Sequence, residues 1–350
     1  MTILFAILLF SVLIFVHELG HFLAAKLSGV QVNEFSMFMG PALLKWGKGE
    51  TQYSIRCIPI GGYCAMEGED VDTDNPRSFQ KAAWWKRLII LVAGSAMNFV
   101  AGFLLLWITC MPMDAVVEPV VADVDAVCTV VSEDGLHIGD RILEVDGERI
   151  YVASDFSTIL SLNPGDVHDI LVLRDGNKVF LEDFYMEKHK IPGEEAERFG
   201  FYFDTKELNF ADKLGFAWKQ SLNVIRTVRL SLTMLLTGQA GLKDMSGPVG
   251  IVQIMSETAA ASETASDALL NMLYFGGFIA INLSVMNLLP IPALDGGRVV
   301  GLLLTTAIEK VIRRKLDSKY EGYVHGAGMI LLLALMAVIM FKDIFVIFKG

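Results

Sequence analysis

Several absences narrow this chain before any motif is read. The four cysteines, Cys57, Cys64, Cys110 and Cys128, are widely spaced and form no C-x-x-C pair, which argues against a disulfide framework and a thiolate zinc site. No lysine- or arginine-rich tract occurs and the formal net charge is -11, so nothing in the chain is suited to follow a nucleic-acid backbone. The apolar N-terminal run has neither a basic flank nor a small-x-small cleavage site, and reads as a retained membrane span rather than a secretion signal. Internal repeats and low-complexity tracts are absent as well.

Apolar residues are abundant. Hydrophobic residues make up 53% of the chain and the mean hydropathy is +0.49, which places it among membrane proteins. Four windows reach the roughly 20 apolar residues a helix needs to span a bilayer: about 3–28, 88–112, 269–291 and 325–348. Lys and Arg concentrate in residues 31–87 and 296–324 and are missing from 113–130 and 250–268. The positive-inside rule therefore predicts that the first two segments are cytoplasmic and the middle of the chain external. The first and third spans then both run inward.

The predicted fold is a polytopic α-helical membrane protein of about four transmembrane helices. It carries a membrane-associated β-hairpin region in 31–87 and an extracytoplasmic β-rich domain at 115–190. The remaining expected boundaries are the first span within 1–30, the second at 88–112, a linker region at 191–268, the third span at 269–298, a cytoplasmic loop at 299–324 and the last span at 325–350. Within the linker, polar residues at Asp212, Lys219, Asn223, Arg226, Thr233 and Thr237 recur at helical spacing. They predict an amphipathic helix that lies at the external membrane surface or packs on the protein itself.

Into the first span the sequence inserts F-V-H-E-L-G-H-F-L-A-A-K, residues 15–26. His17 and His21 are four apart, so on a helix both imidazoles reach one metal ion, while Glu18 stands about 60° round from His21. A carboxylate there can serve as a general base without ligating the metal. Zinc suits two histidines and one carboxylate with a fourth position open. Chance alone yields H-E-x-x-H in such a chain with a probability on the order of 1%, and ionisable groups inside a span are costly unless functional or paired. A third ligand at matching depth is offered by N-L-S-V-M-N-L-L-P-I-P-A-L-D-G-G-R, residues 282–298, where Pro290 and Pro292 break the helix and Asp295 follows.

H-E-L-G-H with N-L-L-P-I-P-A-L-D-G-G resembles the site-2 protease family of intramembrane zinc metalloproteases. E-F-S-M-F-M-G-P, Y-S-I-R-C-I-P-I-G-G-Y-C-A-M-E-G-E-D and S-G-P-V-G-I are similar to its bacterial RseP/RasP-type branch, which carries an external PDZ domain, here matched by G-L-H-I-G-D-R-I-L-E-V-D-G. Two departures bear on the choice of PDZ ligand: Ser132, Glu133 and Asp134 replace the usual S-P-A, and a single PDZ segment is present. The resemblance implies that His17, His21 and Asp295 ligate Zn2+, that Glu18 is the catalytic base, and that Asn282 and Asn287 hold the substrate strand. It further implies single-span membrane protein substrates already shortened by another protease, such as anti-sigma factors, or remnant signal peptides. The expected location is the bacterial cytoplasmic membrane, with the active site toward the cytoplasm. Two other classes fit parts of the pattern. A PDZ-bearing scaffold with a structural metal normally needs four protein ligands, and a metal transporter needs polar groups across the whole bilayer.

Overall fold

The computed structural model describes residues 2–69, 73–125, 128–132, 135–190, 197–241, 247–313 and 319–349. Glu133 and Asp134 of the expected PDZ segment lie outside the described residues. In chain order the elements are helix α1 (Thr2–Ser28), strands β1 (Val32–Trp46) and β2 (Gln52–Met66), and helix α2 (Trp84–Cys110). Strands β3 (Ala115–Val124), β4 (Arg141–Val145) and β5 (Glu148–Arg149), helix α3 (Ser154–Leu162), and strands β6 (Val167–Arg174), β7 (Asn177–Tyr185), β8 (His189–Lys190), β9 (Glu197–Arg198) and β10 (Phe201–Glu207) come next. Helices α4 (Phe210–Thr237), α5 (Pro248–Ala260), α6 (Ala265–Asn287), α7 (Asp295–Ile312) and α8 (Lys319–Lys349) complete the chain. The chain divides into two compact units, Met1–Leu106 with Val224–Gly350, and Trp107–Asn223.

Four helical stretches among the described residues are long and apolar enough to cross a membrane: Leu4–Ser28, Trp84–Cys110, Ala265–Asn287 and Gly322–Asp343. They match the four windows expected from hydropathy. Between apolar helices in lipid there is little hydrophobic gain, so packing relies on small residues that let backbones approach. Gly20 does this between α1 and α2: a Cβ added there would lie 2.4 Å from the Ala93 carbonyl oxygen. The last span is held differently. Asp343, buried in α8, accepts hydrogen bonds from the backbone N–H groups of Gly247 at 2.9 Å and Gly250 at 3.1 Å, capping α5 across the interior.

The predicted hairpin is present, folded more tightly than simple alternation implies. Glu34 pairs with both Gln52 and Ala65, and Tyr53 pairs with both Phe35 and Trp46. The two long strands therefore bend into four rows in the order 42–46, 53–56, 34–37 and 62–66. Positive φ values at Phe38, Gly40 and Gly61 mark the bends. The 62–66 row is an edge to which no other described strand pairs, and β2 packs on α1.

In the second unit the sheet order is β10-β3-β4-β6-β7, with β5 attached to β4. Val121, Leu136, Ile142, Phe156, Ile159, Ile170 and Met186 form its buried core. The sheet runs to Glu207, past the expected limit at residue 190, because Phe199, Phe201 and Phe203 alternate along the chain and pack edge-on around Phe156 at centroid distances of 5.6–6.0 Å. This places a strand in what was expected to be linker.

Two further differences concern helices. The amphipathic helix forms as α4, with Arg226 buried along with Ala217, Ser221, Val224 and Val228 while Thr233 and Thr237 stay exposed, so its polar stripe is buried at Arg226 and solvated toward its end instead of marking one uniform face. The third span ends at Asn287 rather than near residue 298, and Asp295 opens a separate helix, α7, in what was expected to be loop. The break over residues 288–294 has a steric logic. Carbonyls of the turn crowd the start of α7, leaving a Cβ at Gly296 only 2.2 Å from Leu288 O and one at Gly297 only 2.3 Å from Ile291 O. Pro292, which cannot donate a backbone hydrogen bond, ends the run, and Ala293 takes φ 82°.

Candidate metal centre

On α1 the four-residue spacing sets the rings of His17 and His21 in an edge-to-face pair with centroids 4.8 Å apart. Their Nε2 atoms are 3.2 Å apart. Asp295, the first residue of α7, brings Oδ2 to 3.2 Å from His17 Nε2 and 3.3 Å from His21 Nε2. A histidine pair and a carboxylate distant from it in sequence thus converge on one point, which fits the expectation that a carboxylate on the far side of the proline break reaches the histidines.

The donor set can be tested against a metal without reference to any relative. Zinc bonds to nitrogen and oxygen are about 2.0–2.1 Å long, so adjacent ligands around a tetrahedral ion sit about 3.3 Å apart. The three separations match that value. Asp295 Oδ2 is buried and has no hydrogen-bond partner despite its two imidazole neighbours, a state that costs roughly 1–3 kcal/mol if nothing else compensates it. A cation bound by all three groups would satisfy this oxygen and both nitrogens. His21 Nδ1 lies 2.8 Å from the Ile90 carbonyl oxygen. A carbonyl only accepts, so Nδ1 carries the proton and Nε2 keeps its lone pair.

Helix α2 lines the site in a way that sequence reasoning did not foresee. A Cβ at Gly94 would fall 2.3 Å from His21 Nε2 and 2.8 Å from His17 Cε1, so both rings occupy the space its missing side chain leaves. One turn on, the buried Asn98 sets its amide 3.4 Å from His17 Nδ1. Asn98 could have been flagged by the rule that singled out His17 and Asp295, since it too is a polar residue within an apolar span. Gly94 gave no such signal.

Glu18, next to His17, lies under the edge row of the sheet, where a Cβ at Gly62 would sit 3.3 Å from Glu18 Cγ. Asn282 and Asn287 are both on α6, half-buried; α6 is helical through Asn287, so the irregularity falls after this pair and not within it.

Two histidines of an H-E-x-x-H helix meeting a distant aspartate, in a chain with four membrane-length apolar helices, fit the class of membrane zinc metalloproteases. The chain belongs to Peptidase family M50, whose profile matches residues 5–335. It is 37% identical to a candidate zinc metalloprotease of Clostridium acetobutylicum over 98% of this chain and 97% of that one. It is 35% identical to a candidate zinc metalloprotease of Fusobacterium nucleatum over the full length of both. The regulator of sigma-W protease RasP of Bacillus subtilis is 27% identical over 98% of each chain. The protein is accordingly an intramembrane protease that depends on zinc.

Proposed function

We propose that His17, His21 and Asp295 hold the zinc ion, that Glu18 is the general base, and that an unwound segment of a single-span membrane protein is cut along the edge row of the sheet. The observation that carries this reading is the ligand-sized triangle of His17 Nε2, His21 Nε2 and Asp295 Oδ2, with Glu18 beside it under Gly62.

A transmembrane helix shields its own peptide bonds through internal hydrogen bonding, so a substrate must open locally and find replacement partners. The outer side of the 62–66 row, to which no other described strand pairs, offers strand hydrogen bonds. The amides of Asn282 and Asn287, which bond to no described residue, supply further contacts to the opened backbone. A zinc ion bound here supplies Lewis acidity toward the scissile carbonyl and water. Glu18 takes the proton of the attacking water and returns it to the leaving amine. Asp295 balances charge in a poorly hydrated site and orients the donor set.

The sheet of the second unit acts as a PDZ-type domain outside the membrane, admitting substrates already trimmed there. The site itself faces the cytoplasmic side of the bacterial cytoplasmic membrane. The name of the B. subtilis relative, a regulator of sigma-W protease, supports anti-sigma factors as a substrate class, and remnant signal peptides share the required single-span form.

The test is cleavage of a single-span substrate by detergent-purified protein, measured beside its zinc content. Glu18→Gln is expected to keep zinc near one per chain and abolish cleavage, and a zinc chelator is expected to stop the wild type. Wild-type cleavage by Glu18→Gln removes Glu18 as base, and cleavage by fully metal-free protein refutes the hydrolytic metal.

A further inference from the structure

We propose that Asn98 is a positioning residue for His17: its side-chain oxygen accepts the Nδ1–H of that ring and so holds the tautomer that presents the Nε2 lone pair to the metal centre. The inference rests on the metal reading above and adds a residue to it.

The two histidines face the same requirement from opposite ends of one α2 face. A ring that ligates through Nε2 must carry its proton on Nδ1, and that proton needs an acceptor. For His21 the acceptor is the Ile90 carbonyl, 2.8 Å away. For His17 the polar group beside Nδ1 is the Asn98 amide at 3.4 Å. An amide presents either nitrogen or oxygen, and the two orientations have nearly the same shape.

The chemistry separates them. With nitrogen toward the ring, Asn98 donates to Nδ1 and the proton of His17 must sit on Nε2. There it points at the other two donors, His21 Nε2 at 3.2 Å and Asp295 Oδ2 at 3.2 Å, and leaves no lone pair for a cation. The same orientation leaves Asn98 Oδ1 buried with no partner, in a residue only 2% exposed. With oxygen toward the ring, Oδ1 gains its hydrogen bond and Nε2 is freed. One rotation of the amide thus gives Oδ1 a hydrogen bond and frees the Nε2 lone pair, with Nδ2 moved to the place Oδ1 held. Ile90, Gly94 and Asn98 then form a single stripe at four-residue spacing that provides, in turn, an acceptor for His21, room for both rings and an acceptor for His17.

The experiment measures zinc affinity of the purified full-length protein by competition with a chelator, together with the melting temperature of the metal-free form. Asn98→Leu keeps the approximate size and removes the acceptor, and is expected to weaken zinc binding about 10–100-fold, the usual effect of losing an outer partner of a ligating histidine. Asn98→Asp restores an acceptor and is expected to bind zinc at least as tightly as wild type, with metal-free melting no higher than that of Asn98→Leu. If Asn98→Leu yields no folded protein, Asn98→Ala, which only removes atoms, takes its place with the same expectation. Unchanged affinity in the acceptor-free variant overturns the proposal, and so does equal weakening in that variant and Asn98→Asp. His17→Ala is the control for the underlying reading: full zinc binding there refutes the ligand assignment, whereas loss there with unchanged binding in Asn98→Leu refutes only the role of Asn98.

Discussion

Gly94→Ala adds one methyl group to a transmembrane helix and is expected to disable the enzyme. Ordinarily the change favours a helix by about 1 kcal/mol, since glycine is a poor helix former. Here the new Cβ would lie 2.3 Å from His21 Nε2 and 2.8 Å from both His21 Cδ2 and His17 Cε1, whereas ordinary contact begins at 3.4 Å. The His21 ring must retreat by about 1 Å, or α2 must move away by as much. Retreat of the ring breaks a donor triangle whose sides are 3.2–3.3 Å. Movement of α2 away from α1 gives up the close backbone packing of Gly20 on Ala93. A misplacement of about 1 Å at a reacting centre costs on the order of 10²-fold in rate, and zinc affinity is expected to fall with it. The assay is zinc content and cleavage of a single-span substrate, with the helical circular dichroism signal as a check that the helix persists. Wild-type zinc content and cleavage in Gly94→Ala would refute the claim that α2 packs directly on the ligand pair.

Two other expectations follow from the same geometry. Asp295→Asn preserves shape and loses the negative charge, and is expected to lower zinc affinity by more than the about 100-fold upper range for outer partners; zinc retention and normal cleavage would remove Asp295 as a ligand. At the hairpin, hydrogen bonds from Arg77 and then Lys26 hold the Glu50 carboxyl down at about 2 despite slight desolvation. A depressed carboxylate adds stability that is complete above its ordinary range near pH 4.5 and is lost as the pH falls toward 2. Because the pair is exposed, the contribution is at most about 1 kcal/mol. Thermal melting of the detergent-solubilised protein between pH 5 and 2 should therefore fall more steeply in wild type than in Glu50→Gln, and parallel curves would show that the clamp contributes nothing.

The converging triad was legible because apolar spans make polar residues conspicuous: His17 and His21 announce themselves by spacing, and Asp295 by the prolines ahead of it. Asn98 obeyed the same rule and was passed over, because a lone asparagine has meaning only once the crossing of α1 and α2 puts His17 beside it. Gly94 was beyond reach, since glycines are ordinary in membrane helices and only the crossing point tells one from another. Nonlocal pairing hid the last strand of the second unit in the same way: β10 joins β3, some 80 positions earlier in the chain. The doubled register of the hairpin depended on backbone bends at Phe38, Gly40 and Gly61, of which two glycines were visible and the phenylalanine was not. Arg226 fitted the polar stripe of α4 by period, yet period reports neighbours along one helix and says nothing of what lies opposite.

The converging donors lie far apart along the polypeptide, with residues 22–294 between His21 and Asp295. During synthesis at about 5–20 residues per second, the first helix is therefore made on the order of tens of seconds before its aspartate exists. For that interval the newborn chain carries the histidine pair without Asp295 beside it. The brace from Asp343 to the start of α5 arrives later still. Order of translation thus sets the earliest moment at which the three groups can meet: the triangle of His17, His21 and Asp295 closes only after the break at residues 288–294 has been made.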